Sequence, residues 1–212
     1  MIRTSPHKLV VALVAAACAI PVHAFAQGTA AAKPTDGPSD GATAQDREML
    51  ALAEQLAEQS AQILESWIAT QAISEDRLFG RLYFPVPKTE PYKYTTLYDA
   101  VAQRDLPGPE DRVLGRSTLM QYAILTDINA YVPVQNTRFS QPLTGNMAQD
   151  YAGNRTKRML GDLASFAAAR NEAHSLLQRV RLETGDTIYD VSVPVMVRGK
   201  HWGCVRIGYR RE

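Results

Sequence analysis

The sequence predicts an α+β fold: one long N-terminal helix, then an antiparallel sheet that carries short helices on one side. Three observations predict it. Met49, Leu52, Leu56, Ile63, Trp67 and Ile68 recur at helical spacing. Residues 187–209 alternate apolar and polar side chains with a two-residue period, as strands do. The predicted order is long helix, irregular connector, strand pair, helical loop and three strands, with no βαβ rhythm.

The helix occupies the segment 45–75, and its apolar repeat runs over 45–73. Glu54, Gln55, Glu58, Gln59 and Gln62 fall on its other side, and Asp46 and Glu48 suit the positive end of the helix dipole. A helix of roughly seven turns is longer than one small sheet covers. Part of it is therefore expected to project or to pair with another copy. Packing on its own domain and a dimer seam both fit the pattern.

Residues 76–105 hold Phe79, Tyr83, Phe84, Tyr92, Tyr94 and Tyr98 among Pro85, Pro87 and Pro91. Each proline lacks a backbone donor, which opposes regular structure locally. So many rings do not suit a solvated linker, and the segment reads as an ordered connector wrapped over the core. Pro107-Gly108-Pro109 breaks the chain, and 110–117 reads as a short helix with Pro109 in its first turn.

Residues 120–127 form a predicted strand, Ile128-Asn129-Ala130 a turn and 131–136 a second strand, giving a hairpin. The polar stretch 137–153 reads as a loop over the sheet. Residues 154–163 read as a short helix carrying Arg155, Lys157 and Arg158. A third strand falls around 175–182, and 183–186 turns into the closing hairpin. There Tyr189, Val191, Val193, Val195 and Val197 alternate with Ile188, Asp190, Ser192, Pro194 and Met196, which places the two sets on opposite faces. Arg198-Gly199-Lys200 supplies the turn, with glycine free to take positive φ. Val205, Ile207 and Tyr209 then continue one face, with Trp202, Cys204 and Arg206 between them. One face is apolar, and the other is mixed enough to line a pocket.

The chain of 212 residues leaves room for one domain, 45–212. Arg3 and Lys8, an apolar run over 9–20 and Ala24-Phe25-Ala26 make a secretory signal peptide over 1–26, cleaved after Ala26. Lipidation at Cys18 is the rival reading. A flexible leader over 27–44 follows, rich in Ala, Gly, Pro, Thr and Asp. The mature protein is expected to be soluble and periplasmic or secreted. Cleavage removes two of 23 basic residues and none of the 22 acidic ones, leaving a formal charge of −1. Such a balance does not favour nucleic acid. Cys204 alone survives cleavage, so no internal disulfide is expected, and beside Trp202 it reads as a small core residue.

The familiar catalytic templates are missing. There is no Gly-rich phosphate loop, no G-x-S-x-G elbow, no H-E-x-x-H and no C-x-x-C-H. No cofactor, no metal and no enzymatic activity are expected. A triad through His174 or His201 is the weakest reading still open.

What remains is a set of polar handles. Arg155 and Arg158 lie one turn apart if their segment is helical, so both would face the same ligand oxygens. Their planar forks suit carboxylates and phosphates. Arg170 and Asn171 form a second cluster. Asp190 would take an ammonium group, and Tyr122 would offer a hydroxyl. Singly, each arginine reads as a helix cap or the partner of a surface acid. As a group they fit a concave site with convergent polar groups better.

The same residues carry a resemblance. The run from Pro91-Tyr92-Lys93-Tyr94-Thr95-Thr96-Leu97-Tyr98-Asp99 through Thr126-Asp127-Ile128-Asn129-Ala130-Tyr131-Val132-Pro133-Val134-Gln135-Asn136 is its first part. Arg138-Phe139-Ser140-Gln141-Pro142, Asn154-Arg155, Ala168-Ala169-Arg170-Asn171, Asp190-Val191-Ser192-Val193-Pro194 and Gly199-Lys200-His201-Trp202-Gly203 complete it. Residues 92–209 resemble the periplasmic sensing region of a subgroup of bacterial methyl-accepting chemotaxis receptors. That resemblance implies a PAS/Cache-like domain: a long N-terminal helix, then an antiparallel sheet whose concave face binds an amino acid, organic acid or similar metabolite. It assigns no ligand-binding residue.

A chemotaxis receptor has membrane helices around its sensing region and a cytoplasmic signalling rod. Here a cleavable signal stands in place of the first membrane helix, and the chain stops at Glu212. The expectation is a sensor module without its output, which passes its ligand state to a membrane receptor. The alternative is a ligand-free interaction protein that forms a homodimer, or caps a receptor, through the 45–75 helix.

Overall fold

The computed structural model describes residues 42–182 and 185–212. The predicted signal peptide, the Cys18 alternative and nearly all of the predicted leader lie outside them. The first helix, α1 (Ala44–Ala69), opens with a capping box. The Asp46 backbone N–H donates to Thr43 Oγ1 at 3.1 Å, and the Thr43 N–H donates to Asp46 Oδ2 at 2.6 Å. Asp46 also accepts from the Tyr209 hydroxyl at 2.5 Å and from Arg211 Nε and Nη2 at 2.9 and 2.7 Å. The start of the helix is thereby tied to the end of the chain. Burial alone would raise the Asp46 carboxyl; the bonds from Tyr209, Arg211 and Thr43 outweigh it and hold the pKa below its ordinary value.

Met49, Ala53, Leu56, Ala57, Leu64 and Trp67 form one buried stripe along α1. Each fully buried leucine contributes roughly 1.5–3 kcal/mol of transfer free energy. With Asp46 buried in the first turn and Trp67 in the last, the helix is covered along its length and no part of it projects. The sequence reading underestimated the sheet. The central strand β7 (Thr187–Val197) has 11 residues, about 36 Å at a strand's rise. The 26 residues of α1 span about 39 Å, a close match.

Four antiparallel strands make the main sheet: β3 (Met120–Asp127), β6 (Leu176–Arg181), β7 and β8 (Lys200–Tyr209), in the order β3-β8-β7-β6. Arg198 and Gly199 join β7 to β8 with φ of 50° and 75°, the doubly positive pair that a two-residue hairpin turn requires. Val191, Val193, Val195, Val205, Ile207 and Tyr209 face α1. Trp202 joins them, contrary to the simple alternation. Val195 opposes Gly203 and Met196 opposes His201, so Trp202 is the extra residue of a bulge. It packs edge-on against Tyr98 with ring centroids 5.7 Å apart.

The connector is more regular than its prolines predict. It contains α2 (Glu75–Phe79), a short ladder of β1 (Phe84–Val86) with β2 (Lys93–Thr95), and α3 (Asp99–Asp105). Pro85 sits in a two-stranded ladder, where a missing donor is tolerated. The next helix, α4, is Pro107–Leu114. It begins at the proline that seemed to break the chain, because a first helical residue needs no N–H.

Other expectations fail for identifiable reasons. The strand after β3 shrinks to β4 (Tyr131–Val132), which pairs with β5 (Arg158–Met159) and makes no hairpin with β3. Asp127 Oδ1 accepts the N–H groups of Asn129 and Tyr131 at 2.8 and 3.0 Å. Ala130 takes φ 58°, and the chain turns off the sheet. Segment 154–163 is no helix: Lys157 has φ 59° and β5 follows. The predicted loop over 137–153 holds a 3-10 turn, Thr137–Phe139, and α5 (Met147–Gly153). Finally α6 (Leu163–Ala169), capped by Asp162, packs Ala168 and Ala169 on Cys204 and Ala130. The short helices thus lie on both faces of the sheet, since Cys204 points away from α1.

Candidate functional site

The sheet face opposite α1 carries Tyr122 and Ile124 on β3, Val180 on β6 and Arg206 on β8. Residues 132–165 arch over it. A bridge between Ser140 and Asn154 closes the outer loop of the arch, and the Arg155 N–H donates to the Phe139 carbonyl at 2.7 Å. Between sheet and arch lies a cavity of about 290 Å³. Val132, Gln135, Phe139, Arg155, Arg158 and Leu160 line it from the arch, and Asp162 and Ser165 from the start of α6. Arg181, Leu182, Asp186 and Arg210 close the end beside β6. Its size is at the lower end for small-molecule sites.

A buried polar chain runs under the cavity. Arg206 donates to Asp190 Oδ2 from Nε at 3.0 Å and from Nη2 at 2.8 Å. Its Nη1 donates to Ser165 Oγ at 2.7 Å, and Ser165 Oγ donates to Asp162 at 2.6 Å. The Tyr122 hydroxyl donates to the same Asp190 oxygen. Burial pushes the Tyr122 hydroxyl well up, and the Asp190 charge adds to this, so it stays protonated. Burial would lower Arg206, but Asp190 more than reverses that and keeps it charged. Gly208 stands opposite Tyr122 in the ladder. A β-carbon there would collide with the Tyr122 ring, so glycine makes room for the cavity floor.

The predicted site residues divide into three groups. Tyr122, Arg155 and Arg158 all line the cavity. The two arginines meet there through a turn and the β4–β5 ladder, not through helical spacing. Arg155 lies over the Phe139 ring, 4.3 Å from its centroid. Arg158 donates to the Tyr151 and Asn154 carbonyls, both at 2.8 Å. Asp190 lies beneath the cavity. Its Oδ2 is committed to Arg206 and Tyr122, so the expected role of holding a ligand's ammonium is corrected: the charge is already neutralised. Arg170 and Asn171 are elsewhere. Arg170 stacks on Phe166 and reaches the Ile128 carbonyl, and Asn171 closes a local turn with Ala173.

Arg206, Arg181, Arg210, Gln121, Gln135 and Phe139 line the cavity and were not among the predicted site residues. For Arg206 the signal was present: a guanidinium between Val205 and Ile207 in a central strand must be paired. Arg181, Arg210 and Gln135 gave no such signal, because their places depend on non-local packing.

Among the described residues no group of three or more histidine, cysteine, aspartate or glutamate side chains could hold a metal ion. His174 pairs with Glu54 at the surface, and His201 Nε2 lies 2.8 Å from the Gly203 carbonyl. Burial pushes the Cys204 thiol up to about 12. A more open depression of about 430 Å³ lies beside α4. Its Asp111 and Arg138 are spent on Thr137 N–H and on backbone carbonyls, so the arched cavity is the better site. No protein-family model and no curated protein matches this chain.

Proposed function

We propose that the chain is an exported small-ligand-binding sensory module of PAS/Cache type, which binds an amino acid, organic acid or similar metabolite in the arched cavity. The observation that carries this reading is the cavity itself: a concave site between a sheet face and an arch, with apolar walls and convergent polar groups. The resemblance of residues 92–209 to chemotaxis-receptor sensing regions supports it. In this reading the protein is a binder and not an enzyme, and its ligand state passes to a membrane receptor.

The rival reading, an interaction protein acting through the first helix, has less to draw on. The apolar stripe of α1 is already covered by its own sheet. Among the described residues no helix is long and apolar enough to cross a membrane.

A thermal-shift screen against amino acids, organic acids and purines tests the proposal. A ligand at about 100 times its Kd stabilises by roughly 2.7 kcal/mol. For a chain of this size that moves the Tm by roughly 5–10 °C. A flat screen with folded protein free of co-purified ligand contradicts the proposal.

A further inference from the structure

Resting on that ligand-binding reading, we propose that the cavity takes a monocarboxylate with an apolar body, its carboxylate held by Arg155 and by Gln135 Nε2. Of the lining arginines, four are not offered to a ligand. Arg206 pairs with Asp190 and Arg210 with Asp186, both at 2.8 Å. Arg158 donates to the Tyr151 and Asn154 carbonyls. On β6, Gln178 Nε2 donates to the Ala164 carbonyl of α6 at 3.1 Å, while Leu177 packs into the core under α1. Strand alternation then puts Val180 on the cavity face with Gln178, and turns the Arg181 side chain the other way with Leu177.

Arg155 is different. Among the described residues its guanidinium makes no ion pair and no side-chain hydrogen bond. It rests on the Phe139 ring, 4.3 Å from the centroid, and Arg138 lies over the same ring at 4.7 Å. Two like charges thus share one ring, and an anion at Arg155 relieves their repulsion. A carboxylate matches its planar fork.

Gln135 points to the same ligand independently. It is only 6% exposed and lines the cavity. Its Oε1 accepts the Asn136 N–H at 2.9 Å, which fixes the orientation of the amide. Among the described residues its Nε2 donates to nothing. A buried donor left unpaired is costly, and a carboxylate oxygen satisfies it. The fold brings the two residues together: Ser140 Oγ donates to the Gln135 carbonyl at 2.7 Å, and Ser140 bridges to Asn154, next to Arg155.

Acceptors for an ammonium group are already occupied. Asp162 accepts from the Ser165 N–H at 2.9 Å and from its hydroxyl at 2.6 Å, and Asp186 holds Arg210. An ammonium would also stand near Arg155, a like charge. A second carboxylate would find no second open cation among the described lining residues. The remaining wall is apolar, from Ile124, Val132, Leu160 and Val180, and suits a hydrocarbon body.

The test is calorimetric titration of the full 212-residue chain with hexanoate, norleucine and adipate, which share one carbon chain and differ in their charged groups. Acetate and inorganic phosphate are parallel arms. Hexanoate should bind at least about tenfold tighter than acetate, because its chain is buried, and at least about tenfold tighter than norleucine or adipate. Arg155→Met should weaken hexanoate at least about tenfold. Arg155→Lys, which keeps the charge and loses the fork, should retain part of the affinity, and the surface variant Arg104→Gln all of it.

Norleucine, adipate or phosphate binding as tightly as hexanoate would overturn this inference and leave the ligand-binding reading standing. Hexanoate affinity unchanged in Arg155→Met would overturn the placement of the carboxylate. Silence in every arm beside a hit in the thermal-shift screen would overturn the inference alone, and silence in both would overturn the two together.

Discussion

Arg206 and Asp190 form a buried ion pair across the two central strands, with Nε and Nη2 of the arginine both directed at Oδ2 of the aspartate. Their side chains are 3% and 0% exposed, so water contributes little to stabilising either charge. Breaking such a pair from one side leaves a buried charge alone, at a cost of about 3–5 kcal/mol. Asp190→Ala should destabilise by that amount in urea unfolding. Asp190→Leu combined with Arg206→Met should recover most of the loss. A double variant as unstable as the single one would show that the pair does more than neutralise itself.

Gly208→Ala should harm both fold and cavity. Its β-carbon collides with the Tyr122 ring, whose hydroxyl supports Asp190. Overpacking of this kind costs about 1–3 kcal/mol. The displaced ring should also lower ligand affinity. Gly208→Ala with Tyr122→Leu should regain stability, and calorimetry together with urea unfolding separates the two effects.

Lys93 sets a pH dependence. Its ammonium is buried and donates to Asn154 Oδ1 and the Thr156 carbonyl, both at 2.7 Å. Burial, with Arg158 and Lys157 adding to it, lowers the pKa from 10.5 to about 8. Between those values the unfolded chain holds a proton that the fold releases. This group's contribution to stability therefore rises with pH from about 8 to 10.5 and is flat below. Lys93→Met should remove that rise, read as urea midpoints at about pH 7 and about pH 9.5. Identical slopes in the two proteins would contradict it.

Glu110 works in the opposite sense. It is fully buried, and Oε1 accepts from the Leu125 N–H at 3.0 Å. Burial raises its pKa well above 4.5; the Leu125 bond opposes this and the Asp111 charge adds to it. The native state keeps a proton that the unfolded chain loses. Its contribution is complete below about 4.5 and falls as pH climbs toward the folded value. Glu110→Gln, which copies the neutral acid, should be more stable than wild type at neutral pH and equal to it in acid. Urea unfolding at both pH values reads the difference.

The Cys204 thiol should resist modification. It is fully buried against Ala130, Ala168 and Ala169, and its pKa is pushed up to about 12 by burial. A thiolate is the reactive species. In a Cys18→Ser variant, Ellman's reagent should react only at the rate of unfolding, and a rapid stoichiometric reaction in native buffer would contradict the packing.

Much of the frame was legible where local pattern and burial agree. The β7–β8 hairpin follows from its valine alternation and from Arg198-Gly199, and β3 from its own apolar run. The existence of α1 was equally plain, with Met49, Leu56 and Trp67 on its buried stripe, whereas its cap at Thr43, the small residues Ala53 and Ala57 and its end at Ala69 were not read. What failed depends on distant partners. Tyr131 and Val132 find Arg158 and Met159 across a long arch, a pairing that no local period reveals. Arg155 and Arg158 were rightly noticed as a pair for the wrong geometric reason. Asp190 and Tyr122 were noticed as ligand handles, yet they hold each other and Arg206.

The central claim is that a small ligand occupies the arched cavity, and methyl-resolved NMR titration tests it most directly. The probe is whichever carboxylate or amino acid gives the largest thermal shift. The account predicts the largest perturbations at the methyls of Ile124, Val132, Leu160, Val180 and Leu182, which line the cavity, and little change at Leu56 and Leu64 on α1. Perturbations centred on α1, or spread evenly over the surface, would contradict it.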